Sequence, residues 1–253
     1  MILTGASGTW QEDGDMARTI IRKNAGSIRV SMSCLAEFVT SYGRSPESRL
    51  RPFKFNKRGE GLARSSYYQY ALRTIRAYHS QQNDPDVLER DLMEMRTRAD
   101  KSTENRERSR FERNISAVEA YRKTYGNRKF KVLPNRRLEY HIGGITVKAQ
   151  PDLWVEELGI QVLLKIGIAR HNTSYVDMLL CLLRKAAVNG GYKIRAKNIV
   201  YLNVSTQKEM ICSGALTRFN RTFASAAREI ASLWPSIAAP DTPPSSRPPE
   251  ART

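Results

Sequence analysis

LEYHIGGITVKAQPDLWVEELGIQVLLKIGI, residues 138–168, alternates apolar and polar side chains with a period near two. Leu138, Tyr140 and Ile142 lead into Gly143-Gly144, and Ile145, Val147 and Ala149 leave it, which is the pattern of a β-hairpin. Pro151-Asp152 opens a second piece at Leu153–Val155, and a polar turn at 156–159 separates it from a third at Val162–Ile168. Outward from this block the period changes to that of helices. Downstream, residues 174–189 place Val176, Leu179, Leu180, Leu183 and Ala187 on one face and stop at Gly190-Gly191. A strong apolar strand (199–204), a weaker one at Met210-Ile211 and a last helix from about 215 to 233 follow. Upstream, Phe111, Ile115 and Val118 mark a long helix ending near Gly126, and Phe130 and Val132 an extended piece after it.

Further upstream, Asp84-Pro85 is an N-cap followed by a first-turn proline, with Leu88, Leu92, Met95 and Ala99 as the buried stripe. Tyr68, Ala71, Leu72 and Ile75 have helical spacing, and so do Met32, Leu35, Ala36 and Val39 after Ser31; residues 43–64 between them read as a basic loop. The order predicts an α/β (α+β) fold, a central mixed β-sheet flanked by helices, with a helical N-terminal region. Residues 1–15 form a disordered leader in this reading, 16–102 the helical region, 103–234 the α/β core, and the Pro/Ser-rich 235–253 a disordered tail.

Forty-two Lys+Arg face 25 Asp+Glu, a net charge of +17, and 29 of the 42 are arginine. The guanidinium fork suits phosphate, so nucleic acid is the first partner to expect. No apolar run approaches the ~20 residues of a membrane span, and the first residues lack the basic and apolar regions of a secretory signal. Cys34, Cys181 and Cys212 are too few and too scattered for a disulfide framework or a zinc site. A cytoplasmic protein with reduced thiols and no membrane partner is the expectation.

Pro151-Asp152 at the start of one core strand and Lys165 within the next, in that order of elements, resemble the restriction-endonuclease-like PD-(D/E)XK superfamily. The stretch GGITVKAQPDLWVEELGIQVLLKIGIARH is similar to the RecB-type branch, with the shared core falling at about 103–204. The Ser31-Met32-Ser33 start of the first helix is similar to the Ser-rich N-terminal helix of that branch. The resemblance implies Mg²⁺-dependent phosphodiester hydrolysis, with Asp152 as metal ligand and catalytic acid residue and Lys165 as the charge-stabilising base. The family's second carboxylate belongs two residues before the lysine, where this chain has Leu163. Replacements on neighbouring elements are Glu119 on the preceding helix as a catalytic acid and Asp177 early in the following helix as a metal ligand, with Gln161 a weak neutral ligand.

The basic residues are bunched. From Arg96 to Arg137 there are 14 Lys/Arg and 5 Asp/Glu, and Arg106, Arg110 and Arg113 fall opposite Phe111 and Ile115 as a positive ridge. Arg51, Lys54, Lys57 and Arg58 lie among Phe53, Phe55, Tyr67 and Tyr68, a mixture suited to phosphate and bases. Arg170 and His171, just after the third strand, are placed to meet a phosphate. The reading is a nucleic-acid-binding protein, with DNA the partner expected. It is either a Mg²⁺-dependent DNA endonuclease or an inactive DNA-binding relative acting in recombination, mobile-element or defence processes. The rival is a non-catalytic interaction protein docking on an RNA or protein partner through its basic face.

Overall fold

The computed structural model describes residues 28–41, 43–55, 67–169, 171–214 and 216–238. The expected leader, most of the tail, Lys57, Arg58 and Arg170 lie outside the described residues. Chain order runs β1 (Ile28–Ser31), α1 (Met32–Thr40), α2 (Pro46–Phe55), α3 (Gln69–Ser80), α4 (Pro85–Lys101) and α5 (Asn105–Tyr125). Then come β2 (Lys131–Val132), β3 (Leu138–Ile142), β4 (Ile145–Ala149), β5 (Leu153–Glu157) and β6 (Ile160–Gly167). The chain continues through α6 (Thr173–Asn189), a short 3₁₀ turn (Ala196–Asn198), β7 (Ile199–Asn203), β8 (Lys208–Ile211) and α7 (Leu216–Leu233).

Local chemistry sets several of these boundaries. Ser31 accepts a hydrogen bond from the Cys34 amide at 3.1 Å and caps α1, and Asp84 accepts from the Asp86 amide at 2.9 Å ahead of Pro85. Asn172 does the same for α6 through the Tyr175 amide at 2.7 Å. The β3–β4 turn has Gly143 at φ +54° and Gly144 at φ +86°. A Cβ on Gly143 would also come within 2.8 Å of the Ala227 Cβ and 2.9 Å of the Arg228 amide, so α7 rests directly on the hairpin.

The fold is mixed α/β as expected, but the strands form two sheets instead of one. One has the order β1-β4-β3, the other β2-β5-β6-β7-β8. The chain passes from the first to the second at Gln150–Asp152, where Pro151 has no N–H to continue a ladder. In the larger sheet β5 and β6 are antiparallel, with Trp154 opposite Leu163, whereas β6 and β7 are parallel, with Lys165 opposite Tyr201. One face, with Trp154, Leu163 and Tyr201, packs against α6 in a core that also takes in α1, α7 and the smaller sheet. Ile75 of α3 and Tyr121 and Tyr125 of α5 cover the other, against Leu153, Val155, Leu164 and Ile166. A third cluster joins α3, α4 and α5 through Ala71, Leu88, Leu92, Phe111 and Val118.

Two features differ from the sequence expectation upstream of residue 102. The N-terminal region is not purely helical, because β1 pairs in parallel with β4, Ile28 against Ile145 and Val30 against Val147. It therefore joins the α/β core. The expected loop at 43–64 contains α2, whose sole buried residue is Leu50. A single buried side chain leaves no periodicity to read.

Candidate functional site

Asp152 precedes β5 at the end of the larger sheet where the parallel pair β6/β7 terminates, and α6 starts nearby. Open α/β sheets commonly bind ligands beyond the carboxyl ends of their parallel strands. Asp152 extends the β5–β6 ladder: its amide donates to the Leu164 carbonyl at 2.8 Å. Its two carboxylate oxygens are both engaged. Lys165 Nζ donates to Oδ1 at 2.7 Å, and the Ile166 amide donates to Oδ2 at 2.8 Å. The side chains are 19% and 17% exposed, a paired charge at the rim of the core. The two residues that carry the resemblance therefore meet.

The lysine's neighbours are polar and aromatic. Gly167 leaves room for the Tyr201 ring, since a Cβ there would lie 1.7 Å from Tyr201 Oη. Tyr201 Oη and His171 Nδ1 share a hydrogen bond of 2.8 Å, and His171 stacks on Tyr175 at 4.9 Å with 19° between the planes. Burial lowers the His171 pKa, countered in part by a hydrogen bond at Ala169 and by the charge of Glu37. Burial raises that of Tyr175, opposed by Ser33 and helped by the charges of Glu37 and Asp152. Tyr201 is pushed up by burial and by Tyr175 and Asp152.

Glu37 of α1 is thus an acid whose charge is felt in this cluster, and sequence reading missed it. The signal was present: Glu37 is the one acid between Met32 and Thr40, exposed on a helix otherwise largely buried.

The other expected acids go elsewhere. Glu119, on α5, is half exposed and pairs with Arg96 at 2.9 Å. Asp177 lies two residues past Tyr175, about 200° around α6, so it points away from the face that Tyr175 presents to the site. Its charge is felt by Cys181 and Cys212. Gln161 is exposed at the far end of β6. Mg²⁺ needs near-octahedral oxygen ligation. Asp152 offers oxygens already bonded to Lys165 and Ile166, and Leu163 is fully buried between Trp154 and Ile199. Among the described residues no three His, Cys, Asp or Glu side chains are grouped to hold an ion. This donor set does not fit the magnesium that the resemblance implies.

The basic residues divide by what they touch. On α5, Arg106 and Arg113 are exposed and Arg110 is half-buried. The Arg110 guanidinium lies 5.3 Å from the Tyr70 ring centroid, and that of Arg113 lies 5.9 Å from Tyr67. Arg98 and Arg73, at 5.7 and 5.8 Å, approach the same Tyr70 ring, a convergence of three helices that no local pattern announced.

Lys54 has a different role from the phosphate binding expected of it. It donates to the carbonyls of Trp234 at 2.5 Å and Ile237 at 2.9 Å, so it caps the end of α7. Arg49 likewise donates to Phe38 and Ser41 carbonyls at the end of α1, at 2.5 and 3.0 Å. Arg51 is exposed on α2. No helix among the described residues is long and apolar enough to cross a membrane. Neither a protein-family model nor a curated protein matches the sequence.

Proposed function

We propose that this protein binds nucleic acid, DNA being the favoured partner, and does so without cleaving it, on a core that resembles the restriction-endonuclease-like fold. The observation that carries the binding is the arginine face of α5 and its neighbours, within a chain of net charge +17. Guanidiniums on a rigid helix neutralise phosphates and release counterions, which supplies sequence-independent affinity. The non-cleaving part of the reading is supported by Asp152, whose oxygens serve Lys165 and the β6 backbone, and by the leucine sealed at the second acidic position. In this reading Asp152–Lys165 is a fastening between the start of β5 and the end of β6. A role in recombination, mobile-element or defence processes follows from the resemblance alone.

Titration of labelled DNA across a range of salt is the direct test. Affinity is expected to fall with a log–log slope of about −0.9 per phosphate neutralised, and Arg106→Ala/Arg110→Ala/Arg113→Ala to flatten it. Absence of binding at low salt, or binding indifferent to salt, overturns the proposal. Incubation with Mg²⁺ or Mn²⁺ is expected to leave the DNA intact. Cutting that disappears in Asp152→Ala would replace the non-cleaving reading with the nuclease one.

A further inference from the structure

Arginine side chains are usually spread apart on a surface, because like charges repel. Around Tyr70 the opposite arrangement holds. Arg73 from α3, Arg98 from α4 and Arg110 from α5 all bring their guanidiniums within 5.3–5.8 Å of one ring centroid. Arg73 and Arg98 turn to the same carboxylate, Glu94, at 3.8 and 2.6 Å, so one negative charge serves two positive ones. Arg98 Nη1 also donates to Tyr70 Oη at 3.3 Å. Packing on the ring holds these planar groups in place before any ligand arrives, which reduces the entropy lost when they bind a phosphate.

A second anchor lies farther along the same helix. Arg76 donates from Nη2 to the Asp152 carbonyl at 2.6 Å and is otherwise exposed. That bond uses one of its five N–H donors. From Tyr70 to Arg76 is six residues of α3, a rise of about 9 Å.

We infer that α3 carries a phosphate track, running from the Arg73–Arg98–Arg110 cluster on Tyr70 to Arg76 beside the Asp152–Lys165 pair. This inference rests on the nucleic-acid reading and specifies its path: the strand is held at the Tyr70 cluster and again at the end of the larger sheet. Arg73, Arg76, Arg98 and Tyr70 become binding residues in addition to the α5 ridge. Tyr70 is a positioning residue, acting by holding guanidiniums in register.

The test measures anisotropy of a labelled oligonucleotide, single-stranded and duplex, over a salt series, with circular dichroism to confirm folding. Arg73→Ala/Arg98→Ala is expected to weaken binding at least tenfold at low salt. Arg76→Ala should do so severalfold. Each should lower the salt slope by about 0.7–0.9 for every phosphate no longer held. Tyr70→Leu keeps apolar bulk and every arginine, yet is expected to weaken binding severalfold, while Tyr70→Phe retains it. Should the double alanine variant fail to fold, Arg73→Lys/Arg98→Lys serves instead. It keeps charge and loses the fork, so affinity should drop with the slope little changed. If the wild type binds with a steep slope and these variants match it in affinity and slope, the track is wrong and the nucleic-acid reading stands. A wild type that binds neither oligonucleotide at low salt overturns both.

Discussion

Replacing Leu163 by glutamate would place a carboxylate between Trp154 and Ile199, at a position with no solvent exposure. In the resemblance to nucleases that substitution restores the missing acid. In this packing it buries a charge, and the amine of Lys165, two residues along the strand, is already held by Asp152. The expected outcome for Leu163→Glu is a loss on the order of 3–5 kcal/mol in urea unfolding, with no Mg²⁺-dependent cutting gained. A stable variant that cuts DNA would show that the site can open to metal.

His79 makes a pH prediction at the same scale. Its ring is buried, with Nδ1 2.8 Å from Asn83 Oδ1 and Nε2 2.8 Å from Tyr121 Oη. Burial lowers its pKa from 6.5 to about 4, assisted by Arg128 and opposed by the Asn83 bond and Glu157. Above pH 6.5 the ring is neutral whether folded or not, and its contribution is fully present. Below that, the unfolded chain takes up a proton that the folded ring refuses, so stability falls by up to about 1.4 kcal/mol per pH unit. The loss is complete once pH has passed through about 4 and the folded ring protonates too. His79→Gln should therefore show a shallower fall in melting temperature across this window than the wild type.

Among the elements, the β3–β4 hairpin shows how much a local signal fixes and where it stops. Gly143-Gly144 and the alternation on either side predict the turn, and the register follows, with Ile142 against Ile145 and Leu138 against Ala149. That α7 presses onto this turn has no trace in residues 138–149. Gly143→Ala tests both together, because φ +54° disfavours a Cβ and the atom would meet Ala227 at 2.8 Å. A loss of about 1–3 kcal/mol is expected in urea unfolding. An unchanged midpoint would mean that α7 yields without cost.

α2 shows the reverse case. Its start carries a local signal, since Ser45 Oγ accepts from the Ser48 amide at 3.2 Å, but Leu50 alone is buried and Pro52 stands inside it. A helix that contributes so little to the core writes little periodicity into its sequence. Its function in the fold is carried by Arg49 and Lys54, which close the ends of α1 and α7.

Across the molecule as a whole, the positive charge and the chain topology bear on each other. Of the helices between α1 and the hairpin, α3 and α5 pack on one face of the larger sheet, whereas α2 joins α1, α6 and α7 in the core on the other side. Arg76 reaches from the first group to Asp152, and from the second the charge of Glu37 is felt at Tyr175. Under the proposed function, the salt dependence of DNA binding would report on the α3 track as well as the α5 ridge, and variants of each would separate the two.

The α/β class, the helices with strong apolar stripes, the hairpin, the caps at Ser31 and Asp84 and the basic character were all legible along the chain. These follow from nearest-neighbour chemistry: periodicity, glycine φ values and capping hydrogen bonds act over a few residues. The meeting of Asp152 with Lys165 was legible too, because antiparallel strands joined by a short turn have their register set locally. Folding in three dimensions settled the rest: β1 pairs with β4, the strands divide into two sheets at Pro151, and the charge of Glu37 is felt at Tyr175. It likewise assigned Glu119 to Arg96 and Lys54 to the end of α7, and brought three arginines from three helices to one tyrosine. Most of these join residues distant along the chain. Such pairings are selected by the burial of whole faces, and the free energy that selects them is spread over the core instead of residing in the residues that meet.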